Sequence, residues 1–208
     1  MGPVSPGVSP FVECGVASRP KGGETASGDL SLVCGFPEGV LVAVVDGLGH
    51  GPEAAAAAER AVGVLAEHPH ASIIAQVRRC HQALIGTRGV VMTLAVFNVA
   101  DDTLTWLGIG NVEGVLLRAG SRSRPVLESV VQRGGVVGGE LPPLRAMLTT
   151  VTPGDVLVLA SDGVRPDFAS RLRLDVAPQR LADDILEGGH KESDDALVLA
   201  VRYRGRER

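Results

Sequence analysis

The segment Val40–His68, V-L-V-A-V-V-D-G-L-G-H-G-P-E-A-A-A-A-A-E-R-A-V-G-V-L-A-E-H, decides the fold because its character changes twice. Val40–Val45 is an unbroken apolar run of strand formers without polar alternation, the mark of a strand buried on both faces. Asp46 ends it, and the glycine-rich loop G-L-G-H-G leads into Glu53–His68, where the alanine run with Val62 and Leu65 predicts a helix and Pro52 suits its first turn. Upstream, Leu30–Phe36 is another short apolar run, joined to the first through Pro37-Glu38-Gly39 as a hairpin. Downstream, Ala71–Ile85 carries Ile73, Ile74, Val77, Cys80 and Leu84 at helical spacing. Val90–Val99, Thr103–Ile109, Val112–Arg118 and Pro125–Val131 then read as an antiparallel meander of strands. After a Gly134–Gly139 loop, Ala146–Thr152 and Asp155–Ala160 are strands around a Pro153-Gly154 turn, Ala177–Glu187 is a helix and Ala196–Tyr203 a last strand. Strand runs interrupted by helices predict an α+β protein with antiparallel sheets and helices outside.

Composition bounds the rest. The 208 residues, 45% hydrophobic, suffice for one domain spanning 1–208, with the Pro-, Gly- and Ser-rich residues 1–10 as an arm or edge segment. A net charge of -4 gives no basic footprint, so no nucleic-acid partner is expected. No apolar stretch approaches the roughly 20 residues that span a bilayer, and Met1–Ser5 lacks the basic and apolar regions of a signal peptide. A cytoplasmic protein without membrane association is the expectation. Cys14, Cys34 and Cys80 are odd in number and lack C-x-x-C spacing, which argues against disulfides or structural zinc and for core thiols.

Three carboxylates occupy comparable places. Asp46 ends V-L-V-A-V-V, Asp162 follows D-V-L-V-L-A-S, and Asp194 stands just before D-A-L-V-L-A-V. If neighbouring strands bring these ends together, like charges meet where water is scarce, and divalent cations remove that conflict. Oxygen ligands suit Mg2+ or Mn2+. Asp162-Gly163 in isolation reads first as a turn dipeptide, whereas Asp46-Gly47 runs into a loop and a helix rather than a second hairpin strand. An anion cradle at G-L-G-H-G does not fit: the spacing is not G-x-G-x-x-G, and Asp46 would repel a phosphate.

Five motifs, S-G-D at Ser27–Asp29, V-V-D-G-L-G-H-G-P-E-A at Val44–Ala54, G-I-G-N-V-E at Gly108–Glu113, L-A-S-D-G at Leu159–Gly163 and S-D-D-A-L-V at Ser193–Val198, stand in the order found in a known family. The chain resembles the metal-dependent PPM (protein phosphatase 2C-like) phosphatases, in their bacterial SpoIIE/RsbX branch. The resemblance implies an α-β-β-α sandwich and hydrolysis of phosphoserine or phosphothreonine in proteins by a metal-activated water. It implies two Mn2+ or Mg2+ ions, with Asp46 bridging them, Asp29 and the Gly47 carbonyl serving one, and Asp162 and Asp194 the other. It implies phosphorylated STAS-type proteins of the stressosome as partners. His50 is a candidate proton donor to the leaving group, although eukaryotic relatives place a His directly after D-G, where Leu48 stands here. Asn111 reads as a turn residue with positive φ, and Asp195 as a support for the site or an exposed Asp. The eukaryotic branch's phosphate-binding Arg has no clear match. A non-catalytic binding module and a hydrolase of small phosphoesters are the alternative functions.

Overall fold

The structure, a computed structural model, describes residues 9–120 and 126–206. Most of the predicted arm 1–10, and Pro125 of a predicted strand, lie outside those residues. The first sheet contains β1 (Val12–Arg19), β6 (Glu113–Arg118), β7 (Val126–Ser129), β10 (Val156–Ala160) and β11 (Ala196–Tyr203), in the order β1-β11-β10-β6-β7. The second contains β2 (Asp29–Phe36), β3 (Gly39–Gly47), β4 (Val90–Asn98), β5 (Thr103–Ile109) and β8 (Gln132–Arg133) in that order, and β9 (Met147–Thr150) also pairs with β5. All pairings are antiparallel except β5 with β8. Helices α1 (Pro52–Glu67) and α2 (Ile73–Leu84) cover the second sheet, and α3 (Pro178–Gly189) covers the first.

The alternation of side chains explains the apolar runs. In β3, Val40, Val42 and Val44 point into the core between the sheets, where they meet Phe97, Trp106, Leu157 and Leu199. Leu41, Ala43 and Val45 point outward under Ala57, Ala58, Leu65 and Val77 of the helices. β10 repeats the pattern: Leu157 and Leu159 face inward, while Val156, Val158 and Ala160 lie under Leu181 and Ile185 of α3. Both strands are buried on two faces, hence all-apolar. The result is the α-β-β-α arrangement.

Two sequence expectations need correction. The strands from Val90 to Val131 are not one meander: β4 and β5 pair with each other, but β6 leaves for the other sheet and pairs with β10 and β7. The crossing occurs at Gly110, whose φ is 87° and whose added Cβ would lie 2.2 Å from Val91 Cγ1. Pro153-Gly154 is the expected tight turn, with Asp155 N–H donating to Thr152 C=O at 3.0 Å, but its flanking strands lie in different sheets. Propensity marks strands and turns; sheet membership is set by contacts remote in sequence. β1, which the sequence pattern does not mark as a strand, pairs with β11 along its full length.

Candidate metal centre

The register of the first hairpin sets Asp29 opposite Asp46, so two carboxylates face each other across neighbouring strands at one edge of the second sheet. From the facing sheet, Asp162 follows the end of β10, and Asp194 and Asp195 precede the start of the antiparallel β11. The two sheets are tied together at this edge by Ser161. Its hydroxyl donates to Asp29 Oδ2 at 2.6 Å and accepts the Leu197 N–H at 2.8 Å. Asp29, Ser161 and Asp195 are all buried.

Close backbone packing holds the loops that carry these groups. A Cβ on Gly47 would lie 2.2 Å from the Ala54 carbonyl oxygen, so the turn after Asp46 fits against the start of α1 only as glycine. A Cβ on Gly163 would lie 1.9 Å from the Asp195 carbonyl oxygen, so the turns bearing Asp162 and Asp195 pack backbone to backbone. Asp195 accepts the Lys21 N–H through Oδ1 and the Gly28 N–H through Oδ2, each at 2.8 Å. It is therefore a buried support that fastens the polar segment 21–28 over the site, which decides between its two sequence readings.

Electrostatically the site is frustrated. Burial, then the charges of Asp29, Asp162, Asp194 and Asp195, push Asp46 up to about 8. Asp29 is pushed up to about 7, chiefly by burial, with the Ser161 hydrogen bond opposing and the neighbouring aspartates adding to the rise. Asp162 is also raised, by burial and by Asp194, against the pull of Lys191 and a hydrogen bond from Asn111. Among the described residues no three Asp, Glu, His or Cys side chains already close on one point, so the carboxylates share one field without forming a finished chelate. An all-oxygen donor set of mutually repelling carboxylates, Asp29 buried and Asp46, Asp162 and Asp194 partly buried, fits a hard divalent cation, whose charge relieves the repulsion.

The structure brings Asp29, Asp46, Gly47, Asp162 and Asp194 to the same edge. His50 lies on the exposed loop after Gly47, with Nδ1 3.2 Å from Glu24 Oε1. Asn111 corrects another reading. The positive φ belongs to Gly110, and the Asn111 side-chain amide donates to Asp162 Oδ2 at 2.6 Å. Sequence reasoning also passed over Ser161, Lys191 and the role of Gly163; position within L-A-S-D-G was the available signal for Ser161 and Gly163. Of the cysteines, Cys80 is buried while Cys14 and Cys34 are only half-buried.

Two antiparallel sheets between helices, with aspartates gathered at one sheet edge, define the PP2C class of fold. The family model for stage II sporulation protein E (SpoIIE) matches residues 37–204, and the chain belongs to this family of PP2C-type phosphatases. A curated relative, the phosphoserine phosphatase RsbX of Bacillus subtilis (strain 168), is 22% identical over 180 residues, covering 86% of this chain and 88% of the relative. Among solved structures, a chain from work on the bacterial stressosome as a modular system adapted to control secondary-messenger signalling superposes with a TM-score of 0.84 at 28% identity, covering 92% of this chain and 99% of that one. RsbX crystallised with magnesium gives 0.83 at 19% identity, covering 95% and 98%. Among the described residues no helix is long and apolar enough to cross a membrane.

Proposed function

We propose that this chain, acting as one domain, is a metal-dependent phosphoserine/phosphothreonine protein phosphatase whose substrates are phosphorylated STAS-type regulatory proteins of a stressosome in the cytoplasm. The observation that carries the reading is the pair Asp29 and Asp46, facing each other at a buried sheet edge and joined by Asp162 and Asp194 from the opposite sheet. Asp46 would serve both of two ions, Mn2+ or Mg2+, with Asp29 and the Gly47 carbonyl on one and Asp162 and Asp194 on the other. When bound, such ions supply the Lewis acidity that activates water for attack on phosphorus and offsets the phosphoryl charge.

The chain's own groups prepare that site. Ser161 fixes the Asp29 carboxylate, Asn111 fixes that of Asp162, and Asp195 holds the 21–28 segment in place. Burial pushes the Cys14 and Cys80 thiols up to about 12, so neither offers a thiolate for a covalent route. The substrate assignment is supported by likeness to proteins named for phosphoserine hydrolysis and for the stressosome.

The test is phosphate release from a phosphorylated STAS-type protein. Release is expected with Mn2+ or Mg2+, lost on adding chelator or on Asp46→Asn, and faster than release from nucleotides or p-nitrophenyl phosphate. Full activity in excess chelator refutes the metal-dependent reading, and a preference for small phosphoesters refutes the protein substrate.

A further inference from the structure

We propose that Lys191 is a positioning residue of the metal centre, which locks the turn carrying Asp162 to the turn carrying Asp194. Three contacts converge on it. Its Nζ donates to the Asp162 carbonyl at 2.5 Å, its backbone N–H donates to the Gly163 carbonyl at 2.8 Å, and its own carbonyl accepts the Asp194 N–H at 3.3 Å. It follows directly on α3, whose capping His190 donates its N–H to Leu186 C=O at 2.9 Å and bridges Val164. The helix that covers the first sheet thus delivers one lysine between two acidic turns.

Lys191 is half-buried, and the carboxylates of Asp162 and Glu113 lie within its field. The two backbone contacts do not involve the side chain and are open to every residue but proline, so the side chain can be tested separately from the turn. Removing the ammonium has opposite effects on cation binding: it relieves a like charge, and it frees the Asp162 carbonyl from its donor. Water screens the first because the lysine is only half-buried, whereas a charge-assisted hydrogen bond is the larger contribution. Loosening of Asp162 therefore prevails.

The inference rests on the metal-centre reading, and calorimetric titration of the chelator-stripped full chain with Mn2+ separates the two. K191M is expected to bind Mn2+ about fivefold to thirtyfold more weakly than wild type, K191Q to fall between, and K191R to stay within about threefold. At saturating Mn2+ the KM for p-nitrophenyl phosphate should be unchanged in all three. Should K191M not fold, K191Q and K191R carry the comparison. Equal or tighter Mn2+ binding by the variant lacking the ammonium overturns the assignment, as does a raised KM with metal affinity intact, which would make Lys191 an anchor for the substrate anion. A wild type that binds no Mn2+ at millimolar concentration removes the metal reading itself, and the role of Lys191 with it.

Discussion

Replacing Asp46 by Asn keeps the shape of the side chain and removes its charge, which makes it the sharpest probe of the acidic edge. Folding lifts the Asp46 carboxyl from its ordinary 3.8 to about 8. Between those values the folded chain holds a proton that the unfolded chain has released, so wild-type stability falls as pH rises through the window and levels off above about 8. Asn carries no such dependence. At 1.36 kcal/mol per tenfold, that rise costs roughly 5.5 kcal/mol by pH 8.5, where most of the carboxyl is ionised. Solvent reaches the partly exposed carboxylate and cuts this, leaving roughly 2–4 kcal/mol. Urea denaturation in excess chelator should therefore show D46N as stable as wild type near pH 4 and more stable by that margin at pH 8.5. Added Mn2+ at a hundred times its Kd should raise wild type by about 2.7 kcal/mol and leave the variant unmoved. A wild type as stable as D46N at pH 8.5 without metal would show that the carboxylate is not held against burial and repulsion.

Ser161→Ala removes a donor to Asp29 and an acceptor for the buried Leu197 N–H; a loss of roughly 2–3 kcal/mol is expected from the urea midpoint in chelator, and a loss under about 0.5 would contradict the tie between sheets. Gly47→Ala forces a methyl against the Ala54 carbonyl, so we expect destabilisation of roughly 1–3 kcal/mol in a thermal melt and at least a tenfold fall in phosphate release. Asn111→Ala frees the Asp162 carboxylate and should raise the Mn2+ concentration for half-maximal activity about tenfold; an unchanged midpoint would return Asn111 to a turn role. His50→Ala should leave kcat within about threefold, because the imidazole is exposed and paired with Glu24; a hundredfold loss would instead assign it the proton-donor role.

Residues with a local cause were readable from sequence. The two-faced burial of β3 and β10 leaves no polar residue in either run, so both strands and the aspartates beyond them stand out. Thr103–Ile109 and Ala196–Tyr203 have the expected limits because turn residues bound them on both sides. What escaped depends on partners distant in the chain. Asn111 meets Asp162 across 51 positions, Ser161 meets Asp29 across 132, and Lys191 reaches back 29 to the Asp162 carbonyl. Nothing in the neighbours of Asn111 distinguishes an orienting amide from a turn former, since the required φ is carried by Gly110 beside it.

Sheet membership is less legible in a sequence than the gathering of carboxylates at strand ends. A strand can change sheets without changing its apolar pattern, because both sheets of a sandwich ask for the same alternation. A carboxylate at a strand end has no such freedom: buried beside others, it needs a charge partner, and most of its neighbours here are further aspartates. The crossing at Gly110-Asn111 connects these observations. By taking β6 into the first sheet beside β10, it brings Asn111 to Asp162 and sets Glu113 in the field of Lys191. Had β6 continued the meander beside β5, Asp162 would lose its amide partner. The sheet switch is therefore part of how the site is built.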